Sequence, residues 1–486
     1  MDRSTGDRRP GIATALSTIM FPLLMALTAV PAPAADATAP LPRVRVADDG
    51  RSFITEAGKP FVPLGVNYYR PGTGWAPQVW KQFDASATRQ DIDRMKSLGV
   101  NCVRVFLSYG SFFTEPDALR PEGLEKFDRF LAMAEAAGIY VHPTGPDHWE
   151  GTPAWATTDR IADDRNLAAL ELFWTKFAAR YRNRAVVFAY DLRNEPEVGW
   201  DSPAMRAKWN QWLQGHYGSA DKAAQAWSVP AASLRWGEQP PPEAKDAPGN
   251  RQLLDYQRFR EELADAWTRR QAAAIKAADP QALVTVGLIQ WSVPALLPGV
   301  RHYSGFRPER QAKYLDFMEV HFYPLESGFF HYDAPGEQRN LAYLESVVRE
   351  TAAPGKPVVL AEFGWYGGKL TLDQGRHPES TEEQQARWCR RAIETSQGMA
   401  TGWLNWGFYD HPQAGDVSQL TGLLAVDGKP KAWGREFQAL AGSLTGGVKP
   451  RRLGPRPALD WDRCITSTEA GRAFREEYLK AFLAER

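Results

Sequence analysis

Short apolar runs alternate with amphipathic stretches along most of the chain. Phe61 to Tyr69 (FVPLGVNYY) reads as a buried strand, and TRQDIDRMKSLG after it reads as a helix that stops at Gly99. Val100 to Ser108 (VNCVRVFLS) predicts strand two. The next helix is PEGLEKFDRFLAMAEAAG, in which Leu124, Phe127, Leu131 and Ala134 recur at spacings of three and four, with Gly138 placed to cap it. IYVHPTG predicts strand three, NLAALELFWTKFAARYRN a helix, and AVVFAYDLRNEP strand four. The same alternation gives strand five at Ala282 to Trp291, six at Phe317 to Pro324, seven at Pro357 to Trp365 and eight at Thr401 to Asp410. TEEQQARWCRRAIETSQG lies between the last two as a helix, and AWGREFQALAGSL closes the set.

Alternating strands and helices imply a parallel sheet. Eight strands, each followed by a helix, is the count of a (β/α)8 TIM barrel, an α/β fold. A doubly wound open sheet has fewer strands as a rule, and its Gly-rich phosphate loop is missing after strand one.

Two regions interrupt the alternation. Residues from about 198 to 250 follow strand four and hold a helical stretch, PAMRAKWNQWLQGHYGSADKAAQAW, then the Pro-rich EQPPPEAKDAPG. An insertion there lies on the side where strands end; it either walls a cleft or packs as a surface appendage. After Gly446 the chain turns loose and basic (GGVKPRRLGPRP) and then helical, with Phe474, Tyr478 and Phe482 on one face. The expected organisation is a barrel over 41–445 and an extension over 446–486 that packs back on it. Residues 1–34 read as a secretory signal peptide. Arg3, Arg8 and Arg9 precede an apolar stretch from about Ile12 to Val30, and APA at Ala32 to Ala34 suits cleavage. The expected location is outside the cell or in the periplasm, with Arg8-Arg9 open to a twin-arginine route.

Charge narrows the partners. Lys plus Arg and Asp plus Glu both number 58, so no basic field holds a nucleic acid or an anionic membrane. After removal of the leader, no stretch is apolar for long enough to span a bilayer. The aromatic content (Trp 18, Tyr 16, Phe 23) is heavy in Trp, whose flat face suits the C–H face of a sugar ring as well as it suits a core. The three cysteines, Cys102, Cys389 and Cys464, match no metal spacing and permit one disulfide at most.

In a barrel of this kind the C-terminal strand ends surround the active site. Strand one ends in Asn67, Tyr68 and Tyr69; strand two carries Arg104; strand three carries His142, with Asp147, His148 and Trp149 beyond. Strand four ends in Asn194-Glu195, strand six offers His321 and Tyr323, strand seven Glu362, and strand eight Trp403 and Trp406. Only strands four and seven have a Glu directly after a long apolar run, and they face each other across a barrel lumen. Two facing carboxyls are what cleavage of a glycosidic bond requires: one protonated to assist the leaving oxygen, one ionised to attack or to activate water. A cluster of His142, Asp147 and His148 is the competing metal reading, but its spacing fits no metal motif.

NEP after strand four and AEFGW after strand seven resemble the clan A glycoside hydrolases, retaining (β/α)8 barrels. RSFITEAGKPFVPLGVNYYR, MKSLGVNCVRVFL and MEVHFYP look like family 5, its mannanase- and cellulase-like members above all. WLQGHYGSADKAAQAW is more similar to a stretch of family 42 β-galactosidases. The likeness runs from about Val44 to Leu444. It implies Glu195 as acid/base and Glu362 as nucleophile. It also implies Asn194 at the sugar 2-hydroxyl, Arg104 beneath the nucleophile, Tyr323 donating to Glu362 and His321 lining the acid/base side. Trp406 becomes the stacking platform, with Trp403 as its competitor. A family His after strand three is either His142 or His148, with His148 preferred.

The expected function is therefore a retaining β-glycoside hydrolase acting on a carbohydrate, mannan or β-glucan first, with no cofactor and no metal. An exo-acting β-galactosidase or β-mannosidase, a transglycosylase and a carbohydrate-binding barrel without turnover are the alternatives. Facing carboxyls drive their pKa values apart, so Glu195 is expected to be protonated and Glu362 ionised at rest.

Overall fold

Eight apolar runs meet side by side as parallel strands because each is flanked by apolar neighbours on both faces. The computed structural model describes residues 40–73, 76–147, 151–295, 300–324, 334–372, 374–375, 377–449 and 453–485. The strands are β1 (Leu64–Asn67), β2 (Cys102–Ser108), β3 (Tyr140–Asp147), β4 (Tyr190–Asn194), β5 (Val284–Leu288), β6 (Met318–Phe322), β7 (Val358–Phe363) and β8 (Gly402–Asn405). They close in that order, with β8 returning to β1 through Trp403 beside Leu64. The expected TIM barrel is present. The signal-peptide expectation for residues 1–34 lies outside the described residues.

Register sets the height of each side chain in the lumen. Asn67, Arg104 and His142 are partners across β1, β2 and β3. Gly287 of β5 stands beside Asn194 of β4 on one side and Glu319 of β6 on the other. Glu362 of β7 is beside His321 of β6. Polar residues of six strands thus share one zone of an otherwise apolar barrel.

The strands are shorter than the apolar runs. Phe61 belongs to a small antiparallel sheet, Val44–Val46, Phe53–Thr55 and Pro60–Phe61, which closes the barrel floor. Phe53 packs edge-on against Phe188 and Phe317, at 5.3 and 5.2 Å, among the first residues of the strands.

Helices α1 (Ala85–Ser97), α2 (Pro121–Ala137) and α3 (Asp164–Tyr181) follow β1 to β3. Asp84 caps α1 by accepting the Ala87 N–H, and Pro121 starts α2 at a position where its missing N–H costs nothing. Gly138 ends α2 at φ 80°, a left-handed conformation that glycine adopts freely. After β4 come α4 (Pro203–Tyr217), α5 (Ala220–Trp227) and α6 (Arg251–Ala278), then α7 (Ala334–Ala352), α8 (Glu382–Ser396), α9 (Ala432–Leu444) and α10 (Thr468–Ala484).

One expected helix is reduced. Between β5 and β6 the described residues form single turns at Gln290–Ser292, Val300–His302 and Pro308–Gln311. The C-terminal extension covers this stretch. Gln257 of α6 donates to the carbonyls of both Val300 and Ile465, Arg307 lies 4.6 Å from the ring of Trp461, and Gly471 approaches the Pro294 carbonyl. The period-3.6 pattern cannot reveal a helix slot filled from elsewhere in the chain.

The insertion packs on α6. Helix α6 has 28 residues, or about 42 Å. Its first turns carry Tyr256 and Phe259, against which Trp209 of α4 packs at 5.0 and 5.4 Å. Trp227 of α5 donates to Asp255 at 2.9 Å. Because α6 starts beside the strand C-termini, the insertion sits on the catalytic side, and its large side chains are used against α6.

Candidate active site

Arg104 is the centre of the site. It stands on β2 with no exposed surface, so each of its N–H groups needs a partner inside the protein. Nη1 donates to Asn67 Oδ1 at 2.9 Å and to Glu362 Oε1 at 2.7 Å. Nη2 donates to Asp191 Oδ2 at 2.7 Å and to Asn194 Oδ1 at 2.9 Å. The planar fork therefore ties strands β1, β4 and β7 to β2, which a lysine has no geometry to do. The guanidinium also lies 4.7 Å from the Phe106 ring centre.

Glu362 and Glu195 converge above it. Glu362 Oε1 accepts from Arg104, and Oε2 accepts the Tyr323 hydroxyl at 3.0 Å. Glu195 follows β4 with φ 43°, a left-handed conformation unusual for a residue with a Cβ, and its N–H donates to the Gly287 carbonyl at 2.9 Å. That turn aims the carboxyl into the lumen, where Oε1 lies 3.0 Å from His321 Nδ1. His321 Nδ1 is also 3.6 Å from Glu362 Oε1. One oxygen of each Glu and a ring nitrogen of His321 all lie within 4.8 Å of one another. The Glu195 side chain keeps 26% of its surface exposed and the Glu362 side chain 5%. The pair is thus open to a ligand on the Glu195 side.

The charges follow from burial and neighbours. Burial pushes the Glu362 carboxyl above its ordinary value; the His321 and Arg104 charges pull it down, and the Glu195 charge pushes it up again. Repulsion between carboxyls, the cause expected from sequence, is therefore outweighed by desolvation. Arg104 and Tyr323 both donate to Glu362, so its oxygens are arranged for the ionised form. Burial works against a charged His321 ring. The Glu362 charge, the hydrogen bond to Glu195 and the nearby Glu319 carboxylate prevail and lift its pKa to about 10. His321 is therefore an imidazolium at neutral pH, and its Nδ1–H donates to Glu195.

Glu195, His321 and Glu362 have the residue types of a metal site. Arg104 Nη1 and the Tyr323 hydroxyl each donate to one oxygen of Glu362, and His321 Nδ1 faces Glu195.

Trp406 lines the same zone. Its ring is 5.5 Å from Tyr69 and 5.8 Å from Phe106, and its Nε1–H donates to Ser418 at 2.9 Å. The Trp406–Gly407 peptide is cis. Trp403 points the other way and donates to Ser396 of α8, so it packs outside the barrel. His142 is deeper than the Glu195–Glu362 pair, with Nδ1 on the Ala189 carbonyl at 3.0 Å and Nε2 on Glu319 Oε2 at 2.9 Å. His148 lies outside the described residues.

Two buried carboxyls were not anticipated. Asp191 accepts from Arg104, from Thr144 at 2.9 Å and from the backbone N–H of Gly287 at 2.8 Å. Glu319 lies beneath Arg104 and His321. A charged residue inside an apolar strand run was the available signal: Asp191 in AVVFAYDLRN and Glu319 in FMEVHFYP are such residues, as Arg104 is.

The profile of the cellulase family (glycosyl hydrolase family 5) matches residues 55–411, a span that includes every site residue above. A β-xylosidase from Phanerodontia chrysosporium is 28% identical over 118 residues, which is 22% of this chain and 25% of that protein. The chain therefore spans about a quarter of the length of this curated relative. An exo-β-1,4-mannosidase from Opitutaceae bacterium strain TAV5 superposes with a TM-score of 0.57 at 20% identity, over 82% of this chain and 62% of its own. A GH5_18 protein from Streptomyces cattleya in complex with Manβ1-4GlcNAc gives 0.60 at 20% identity, over 87% and 92%. A β-galactosidase from the psychrophilic Marinomonas ef1 gives 0.59 at 18% identity, over 78% and 59%. At these identities the superpositions speak to the fold.

Proposed function

Because the chain belongs to glycosyl hydrolase family 5, we propose that it cleaves β-glycosidic bonds with retention, using Glu362 as nucleophile and Glu195 as acid and then base. The observation that carries this reading is the convergence of one Glu195 oxygen and one Glu362 oxygen within 4.8 Å. Carboxyl groups about 5–5.5 Å apart suit direct attack, whereas water-mediated inversion needs about 6.5–9.5 Å. In the first step the Glu362 carboxylate bonds to the anomeric carbon as the glycosidic C–O bond breaks. Glu195 gives its proton to the leaving oxygen. His321 Nδ1–H engages Oε1 of Glu195, which leaves Oε2 for that transfer. In the second step Glu195, now ionised, takes a proton from water. The oxygen of that water attacks the anomeric carbon and releases Glu362. Arg104 and Tyr323 hold the charge that returns to Glu362. Asn194 is fixed by Arg104 through its Oδ1, so its amide N–H groups remain to meet the sugar 2-hydroxyl, with Trp406 as the flat wall beneath the ring.

For the sugar, a β-mannosyl unit is the first choice and a β-glucosyl unit the second. An exo-β-1,4-mannosidase and a Manβ1-4GlcNAc complex among the similar structures support the first. The first of these also favours attack at a chain end over attack inside a polymer. A panel of aryl β-glycosides with sizing of the products from mannan and β-glucan separates these readings. Proton NMR of the first product formed from the best substrate tests the mechanism. The β anomer is expected before mutarotation. An α anomer appearing first contradicts direct attack by Glu362.

A further inference from the structure

Beneath the catalytic pair, three fully buried polar atoms lack a hydrogen bond of ordinary geometry: Arg104 Nε, His321 Nε2 and Glu319 Oε1. They lie close together. Glu319 Oε1 is 3.4 Å from Arg104 Nε and 3.7 Å from His321 Nε2. Buried polar atoms are rarely left unpaired, and Glu319 Oε1 is a carboxylate oxygen near both N–H groups. Arg104 carries Glu362 on its other side, and His321 carries Glu195. The two catalytic arms therefore rest on the same oxygen.

The other oxygen of Glu319 is held by His142. His142 Nδ1 faces the Ala189 carbonyl, which can only accept, so Nδ1 carries a hydrogen. The contact between Nε2 and Glu319 Oε2 at 2.9 Å then needs one proton, and His142 donating it leaves Glu319 an anion. Asp191, the other carboxyl on Arg104, differs: Arg104, Thr144 and two backbone N–H groups, of Gly287 and Arg193, saturate both of its oxygens. Asp191 fixes Arg104. Glu319 alone touches both arms.

We propose that Glu319, steadied by His142, is a positioning residue that keeps His321 charged and thereby couples the proton on Glu195 to the charge on Glu362. Glu319 is the anion on the Nε2 side of the His321 ring; Glu362 is the anion on the Nδ1 side, where the Glu195 carboxyl also lies, and Arg104 is the opposing cation. When Glu362 becomes an ester it stops stabilising the charged ring, and Glu319 remains. His321 then stays an imidazolium while Glu195 must ionise, which favours the base form needed for the second step. The inference rests on the roles given above to Glu195 and Glu362. Its first readout, titration of the His321 ring, does not use a substrate, so it can fail while turnover by the native protein still supports those roles.

The experiment is a pH titration of the His321 ring in protein labelled with 15N-histidine, the resonance identified by its loss in His321→Asn. In the native chain the ring is expected to stay charged well above pH 7. In Glu319→Gln its midpoint should fall by about 1–3 pH units, the usual effect of removing an opposite charge at this range. His142→Gln removes the donor that keeps Glu319 ionised, so it should move the midpoint in the same direction by less. If Glu319→Gln fails to fold, His142→Gln decides the matter. A kinetic readout accompanies both: with a dinitrophenyl glycoside, whose departure needs no acid, kcat, set by the second step, should fall at least tenfold while kcat/KM, set by the first, changes less. A His321 midpoint unchanged in a folded variant, or a kcat for that glycoside that does not fall, overturns the proposal.

Discussion

At the scale of single residues, the chemistry is a balance between burial and donated protons. Tyr323 is the simplest place to test it, because its hydroxyl gives one hydrogen bond to Glu362 at 3.0 Å and nothing else in the proposed mechanism depends on it. Burial already holds the Glu362 carboxyl above its ordinary 4.5. The acidic limb of kcat/KM should therefore lie above pH 4.5 in the native protein. Tyr323→Phe removes a donor to the charged form, so the limb should move to higher pH. A limb below pH 4.5, or one that moves down in the variant, contradicts this account of Glu362. Much of the residue-level site was legible in sequence. Glu195, Glu362, Asn194, His321, Tyr323 and Trp406 stood at or near strand ends and Arg104 within strand two, and the structure brings all seven to one zone. Asp191 and Glu319 were not found, because a search of strand ends overlooks charges set one layer deeper. Their signal was charge inside an apolar run, and it competed with the habit of reading such residues as strand edges.

Among the elements, β5 has a part that its sequence hides. Gly287 gives its N–H to Asp191 and its carbonyl to the N–H of Glu195. A Cβ there would lie 3.0 Å from His321 Nε2 and 3.1 Å from Arg104 Nη2, closer than such atoms normally pack. Gly287→Ala should cost about 1–3 kcal/mol of stability by overpacking. It should also lower kcat/KM at least tenfold, by forcing His321 and Arg104 apart. Denaturant unfolding and steady-state kinetics on the variant check both; a variant with native stability and turnover would show that the gap is not set by this glycine. Helix existence and order were readable from spacing, and in the structure α8 starts at a Thr381–Gln384 capping box. Strand ends were overestimated, since runs such as FVPLGVNYY continue apolar into the floor sheet. The shortened fifth helix was unreadable because its place is covered by the C-terminal extension, a contact between segments more than 150 residues apart.

For the molecule as a whole, a closed parallel barrel sealed below by aromatic packing leaves its polar zone facing one way. That zone links stability to pH. The His321 pKa stands at about 10 in the folded chain against an ordinary 6.5. A raised value means that the folded state binds the proton more tightly. The ring's stabilising contribution is therefore full below pH 6.5 and is lost as pH rises toward 10. The stability of the native chain minus that of His321→Gln should fall across this window in denaturant titrations; a flat difference contradicts the charged ring. The barrel was legible because eight repeats of one pattern reinforce each other, whereas the sugar specificity lives in loops whose pattern carries no period. The most direct test of the central claim uses the chain with Glu362→Ala and added azide. If Glu362 is the nucleophile and Glu195 the acid/base, azide takes the vacated space and turnover returns with an α-glycosyl azide. A β-glycosyl azide from that variant would mean that the two carboxyls have been assigned the wrong way round.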